Sequence, residues 1–278
     1  MSETVYTSQS VLRHPLRFFT EAVRDLRQSP PVAWRLFISN VQARHRRSWL
    51  GYLWLLLPTV GTTLVWVYVQ SRRIVSITPT EVPYPVYVLT GTILWQVFAD
   101  ALNAPLQQLA AGRQLITRSR VPHEALILAG LFEVLLNCAV RLIVLAAVLV
   151  VFRIPLDASV LLVPLGIAAL ALLGLTLGLF AAPLGMLYDD VSRAIALVTG
   201  FWFFLTPVLY RVPASGILRF NPVTPLLDVT RAWLTASSST THPAISAFAA
   251  VTSVTMIALV LAWLFQRLAR PHVVARLG

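Results

Sequence analysis

The chain has no lysine at all and a single cysteine, Cys138, among its 278 residues. The first absence excludes a Gly-x-x-x-x-Gly-Lys-Ser/Thr phosphate loop, whose lysine reaches the nucleotide phosphates. If ATP is used, another subunit must hydrolyse it. The second absence excludes an intramolecular disulfide and a thiolate metal cluster. Charge is scarce as well: 12% of residues are charged, against about 25% in a soluble domain. With 57% hydrophobic residues and a mean hydropathy of +0.75, most of the chain has no water to face, so its solvent is lipid. Only helices or a closed barrel then satisfy the backbone. Runs of Leu, Val and Ala without two-residue alternation are too long for barrel strands and select helices. His14, His45, His123, His242 and His272 are scattered, with no His-x-x-x-His pair. No metal site, no cofactor and no catalytic constellation is therefore expected.

All 22 basic residues are arginines, and against 11 acidic residues they give a net charge of +11. The arginines lie in loops between apolar runs, where the positive-inside bias of membrane proteins accounts for them without a nucleic-acid partner. A span needs about 20 apolar residues to cross about 30 Å of hydrocarbon. The sequence places six, at 50–69, 86–102, 124–151, 160–186, 194–210 and 243–265. Residues 71–85 then form an external loop, 103–123 a cytoplasmic loop holding a short helix, and 188–193 a tight cytoplasmic turn. The proline-broken stretch 211–241 is external or a re-entrant pair of short helices. This layout puts 15 arginines inside and 6 outside, with Arg141 in a span, so both termini are expected in the cytoplasm. The N-terminus does not read as a cleavable signal. Three parts follow: a cytoplasmic N-terminal region, 1–48, a six-span region, 49–266, and a cytoplasmic tail, 267–278.

Ser29-Pro30-Pro31 divides the N-terminal region into two amphipathic pieces. Leu16, Phe19, Val23 and Leu26 recur at helical steps in the first, and Trp34, Phe37, Ile38 and Val41 in the second. Trp34, Arg44, Arg46 and Arg47 suit a lipid-headgroup plane; a helix packed on the protein's own cytoplasmic side fits the same pattern. Within spans, polar residues need a reason. Gln96, Asp100, Asn103 and Gln107 share one helical face, which fits a hydrated pathway or interhelical hydrogen bonding. Glu133, Asn137 and Arg141 form a second ladder, where a buried ion pair is one explanation. Trp49, Trp66 and Tyr68 fit an aromatic belt, while Tyr52, Trp54 and Trp202 are candidates for stacking on sugar rings. Asp189 and Asp190 read as a helix cap or docking contact before an acid/base pair.

Four stretches occur in order: RHRRSWLGYLWLLLPTV, LITRSRVPHEALIL, LGMLYDDVSRAI and FNPVTPLLDVTRAWL. With the six-span plan they resemble the permease subunits of type-2 ABC exporters that move O-antigen, capsule or teichoic-acid-type polysaccharides. The resemblance implies a non-enzymatic, channel-forming homodimer in a bacterial inner membrane, docked to two copies of a separate ABC ATPase. Its cargo would be a lipid-linked glycan. Residues 113–124, with Arg113, Arg118, Arg120 and Glu124, would include the coupling helix, and Asp189, Asp190 and Arg193 would make a second ATPase contact. Residues 211–234 would close the channel externally. Tyr52, Trp54, Gln96, Asp100, Asn103 and Trp202 are the candidates for the path, and Arg44, Arg46 and Arg47 would suit a pyrophosphate head. Two other readings compete: a type-2 permease for a drug or another lipid, and an integral-membrane enzyme or ion-coupled carrier with Asp100, Glu133 and Arg141 as working charges.

Overall fold

Residues 15–47, 51, 53–72, 82–112, 122–210, 220–235 and 242–277 are described in a computed structural model, and among them no strand occurs. In lipid the backbone has no partner but itself, and the apolar runs form helices. These are α1 (Pro15–Arg47), α2 (Leu53–Ser71), α3 (Tyr84–Ala111), α4 (His123–Val151), α5 (Val163–Leu187), α6 (Asp189–Leu205), α7 (Val223–Thr235) and α8 (His242–Leu277). A 3-10 turn, Ala158–Leu162, leads into α5, with Asp157 accepting the Ala158 N–H at 2.7 Å.

Helix α3 is the axis of the bundle: every residue from Val86 to Leu102 is buried except Gln96 and Asp100. Glycines let α5 close on it. A Cβ at Gly174 would run into the Phe98 carbonyl and the Leu102 amide, and one at Gly178 into the Leu102 carbonyl. Close backbone approach of this kind replaces the hydrophobic drive that helices lack in lipid. Helix α4 lies on another flank of α3 and carries α1, whose Ala33 packs against Ala125 and Ala129. Helix α8 packs on α5, and α2 and α6 lie along α3 with much of their surface open.

Arg153 closes α4. Its φ of 52° lets Ile154 N–H reach Leu149 O at 3.0 Å and Arg153 N–H reach Val150 O at 3.1 Å, a Schellman pattern in a position that favours glycine.

Five segments are long and apolar enough to cross a bilayer: Leu53–Ser71, Tyr84–Ala111, His123–Val151, Ala158–Leu187 and Ala244–Ala269. The chain is thus an all-α, multi-pass membrane protein. The stretch expected as a further span, 194–210, forms a shorter and earlier helix. Helix α6 has 17 residues, about 26 Å at 1.5 Å per residue against about 30 Å of hydrocarbon. It starts at Asp189 because Asp189 and Asp190 favour a helix N-terminus, which reduces the expected turn at 188–193 to extended Tyr188. It ends at Thr206, which precedes Pro207 and is extended.

One further expectation is corrected. Helix α1 runs unbroken through Pro30 and Pro31. The carbonyls those prolines leave without a helical partner belong to Leu26 and Arg27, both exposed, so water can replace the missing donors. Ser29 also donates to Asp25 O at 2.7 Å. Helix α8 continues beyond the expected span to Leu277, so the tail is largely its extension.

The two ends of the bundle differ. At one, Arg267 of α8 binds Asp25 of α1 at 2.6 Å and Glu124 of α4 at 2.9 Å, so α1 and the last turns of α8 share that end. At the other, α7 lies across α3, α5 and α8, with Trp233 edge-on to Phe248 at 5.3 Å.

Candidate functional site

Helices α2, α3 and α6 bound an open cleft of about 500 Å³. Thr62 and Trp66 line it from α2, Thr92, Trp95 and Gln96 from α3, and Thr199, Phe203 and Phe204 from α6. Thr92 and Thr199 donate to the Val88 and Ile195 carbonyls one turn back, at 2.8 and 2.6 Å. Their hydroxyl oxygens keep acceptor capacity. Trp95 is held at steep angles by Trp202 and Phe203, with centroids 6.3 and 5.8 Å apart. The cleft therefore joins an amide, threonine hydroxyls and aromatic edges, the mixture that meets a ligand with both hydroxyl and C–H surface.

The two polar ladders meet beside it. Arg141 Nη1 donates to Asp100 Oδ2 at 2.6 Å, with side-chain exposures of 4% and 24%. The four residues of the α3 stripe thus serve different ends. Gln96 faces the cleft, Asp100 holds Arg141, Asn103 donates to Ala99 O at 2.8 Å, and Gln107 is exposed. Its neighbour Gln108, unmarked by the spacing, points at α4.

There Glu133 gathers three donors: Asn40 Nδ2 at 2.8 Å, Gln108 Nε2 at 2.9 Å and Arg44 Nη2 at 2.9 Å. Arg44, expected at lipid headgroups, remains half exposed while it binds Glu133. Trp34 is exposed on one side and meets Phe132 edge-on at 5.7 Å, so α1 both packs on α4 and presents an outer face. Arg46 and Arg47 close α1.

Of the expected ATPase contacts, Glu124 is buried and bound by Arg267. The pair ties the start of α4 to α8. Asp190 and Arg193 are exposed and pair at 3.2 Å, a contact worth little at such exposure; Asp189 is exposed beside them. Arg113, Arg118, Arg120 and Tyr52 lie outside the described residues. Trp54 is exposed on α2. Trp202 is half-buried and donates to Asn221 Oδ1 at 3.1 Å.

Sequence reasoning missed the arrangement under α7. Asn221 accepts from Trp202 and from Val223 N–H, at 3.0 Å for the latter, and donates to Thr206 Oγ1 at 2.8 Å. Arg231 is buried among α3 and residues 207–208. Asp228 and Arg231, three apart, and Tyr84 and Tyr87, likewise three apart, were the available signals.

Among the described residues no group of three or more His, Cys, Asp or Glu gathers to hold a metal ion. Together the bundle and its cleft define an all-α, multi-pass membrane protein with an open cleft between three helices. The chain matches no protein-family model. It is 24% identical over 212 residues to the O-antigen export system permease protein RfbA of Myxococcus xanthus, covering 74% of this chain and 80% of that one. A Klebsiella pneumoniae protein of the same name is 24% identical over 195 residues, 68% of this chain and 74% of that one. The polysialic acid transport protein KpsM of Escherichia coli is 22% identical over 206 residues, 70% of this chain and 78% of that one. These relatives support the resemblance to type-2 ABC exporter permeases and a transport subunit of polysaccharide export.

Proposed function

We propose that this chain is the channel-forming subunit of an ATP-driven exporter that moves a lipid-linked polysaccharide of O-antigen or capsule type across the bacterial inner membrane. The observation that carries the reading is the alignment with polysaccharide export and transport proteins along 68% to 74% of the chain. The cleft supports the cargo class: Gln96 and the threonine oxygens suit sugar hydroxyls, and Trp66 and Phe203 suit the C–H faces of sugar rings. Trp54 and Leu64 on α2 and Phe201 and Phe204 on α6 are exposed apolar side chains. Lipid or a second copy could cover them; in a homodimer the path would run between the two halves, with α6 as a sixth, shorter span.

In this reading the end that carries α1 and the last turns of α8 faces the cytoplasm, with residues 1–48 as its interface region, since arginines collect there. Arg113, Arg118, Arg120, Asp189, Asp190 and Arg193 would meet two separate ATPase subunits, with Glu124 bracing the first contact from below. Tyr52, Trp54, Asp100, Asn103 and Trp202 remain candidates for the path beside Gln96. Trp34, Arg44, Arg46 and Arg47 remain candidates for the headgroup region. Against an ion-coupled carrier stands the engagement of its working charges: Asp100 holds Arg141, and Glu133 holds Arg44.

The test is to purify the chain with a co-expressed ATPase of its own gene neighbourhood and follow ATP hydrolysis with and without lipid-linked glycan. A stable complex with glycan-dependent turnover is expected. A chain that binds no ATPase would overturn the reading.

A further inference from the structure

Residues 206–210 follow α6 and belong to no helix, yet 206–209 are buried. Buried carbonyls need donors, and here the donors come from other helices. Tyr84 OH reaches Leu209 O and Tyr87 OH reaches Tyr210 O, each at 3.1 Å. Arg231 Nη2, from α7, reaches Pro207 O at 3.0 Å and Val208 O at 3.1 Å. The same guanidinium lies over the Tyr87 ring, 3.8 Å from its centroid, a cation–π contact that gains strength where water is excluded. Gly91 makes the space, since a Cβ there would strike both Arg231 Nη2 and Val208 O. One side chain, 5% exposed, therefore ties α7, α3 and the end of α6 together.

A counter-charge sits beside this fastening. Asp228, one turn back on α7, lies 3.4 Å from Arg231 Nη1 and is 46% exposed. It shares α7 with Arg231, so a guanidinium released from the carbonyls and Tyr87 would keep a counter-charge beside it. Burying a cation is costly unless it is paired, and Asp228 is that partner. The remaining seat of α7 includes the Thr230 contact on Gly166, the Trp233–Phe248 contact and one hydrogen bond, from Ser159 Oγ to Trp233 O at 3.1 Å.

We propose that Arg231 is the positioning residue that locks α7 and residues 206–210 against the end of α3, and that release of its guanidinium opens this end of the bundle. The inference deepens the exporter reading and rests on it only for what passes when the lock opens.

Thr230, fully buried beside the lock, reports its state. In a Cys138→Ala background, Thr230→Cys is labelled with a water-soluble maleimide in detergent micelles of the full chain. A second reporter, Ala125→Cys, sits buried at the α1–α4 seam and senses general unfolding. With Arg231→Met, labelling at position 230 is expected to rise about tenfold or more, and labelling at position 125 to stay at its original rate. Arg231→Lys, which keeps the charge but loses the planar fork, is expected to fall between the two and serves where the methionine variant does not accumulate. An unchanged rate at position 230 in both variants would overturn the lock, as would equal acceleration at both reporters. Iodide entry into proteoliposomes of the same variants tests the channel reading separately: accelerated labelling without iodide entry keeps the lock and sinks the channel.

Discussion

Replacing Asp100 by alanine strands Arg141 in the bundle. The arginine side chain is 4% exposed and its Nη1 lies 2.6 Å from the lost carboxylate. Breaking a buried pair by removing one partner costs about 3–5 kcal/mol. Asp100 is 24% exposed, so water already screens part of the interaction, and the lower end, about 3 kcal/mol, is expected. Arg141 Nε and Asn137 Oδ1 are already buried without a hydrogen bond among the described residues, so the site carries unsatisfied polar atoms before the carboxylate is lost. Removing both charges with similar volume, as Asp100→Leu with Arg141→Met, is expected to return stability to within about 1 kcal/mol of the original or above it. Reversible unfolding in mixed micelles, followed by tryptophan fluorescence, measures both. An Asp100→Ala protein within about 0.5 kcal/mol of the original would refute the pair as a buried contact, because surface changes fall in that range. A double variant as unstable as the single one would refute the pairing. If the double variant is stable but no longer transports, Asp100 belongs to the path as well as to the fold.

Gly178→Ala drives a Cβ into the Leu102 carbonyl and is expected to cost about 1–3 kcal/mol in the same assay. Gly61→Ala, which meets open space inside α2, should instead raise stability by up to about 1 kcal/mol; equal losses at both positions would contradict the α3–α5 packing. Glu133→Ala removes the acceptor shared by Asn40, Gln108 and Arg44. Limited proteolysis should then cut α1 about tenfold faster, as expected for losing a contact of about 1.4 kcal/mol, and an unchanged cleavage rate would show that α1 is held by its apolar face alone. Arg153→Gly, at φ 52°, is expected to stabilise the chain by about 0.5–1 kcal/mol, and a loss of stability would mean the arginine side chain contributes more than its backbone costs.

The spans were legible because a lipid-facing helix announces itself by length and by the absence of charge. The start of α6 was read too late, since Asp189 and Asp190 look like a loop until their value at a helix N-terminus is counted. Pro30 and Pro31 looked like a break, but the carbonyls they leave lie on the exposed side of α1. Asp100 and Arg141 were both marked as costly, on separate ladders; that they face each other depends on the rotation of α4 against α3, which helical periodicity leaves free. Gln107 was chosen over Gln108 for the same reason: spacing finds a face, and the neighbouring helix decides which residue is used. Arg231 lies in a stretch that the sequence leaves as external or re-entrant, and in an external stretch an arginine needs no explanation. Only its burial against Tyr87 and two carbonyls gives it one.

The most direct measurement of the central claim is translocation itself, in proteoliposomes holding this chain with its partner ATPase and a lipid-linked polysaccharide labelled on one face. ATP-dependent transfer of the label to the other face, lost when Gln96 is replaced by leucine in a protein that still hydrolyses ATP, is the predicted result. Transfer that ignores ATP, or follows a proton or sodium gradient instead, would contradict the account.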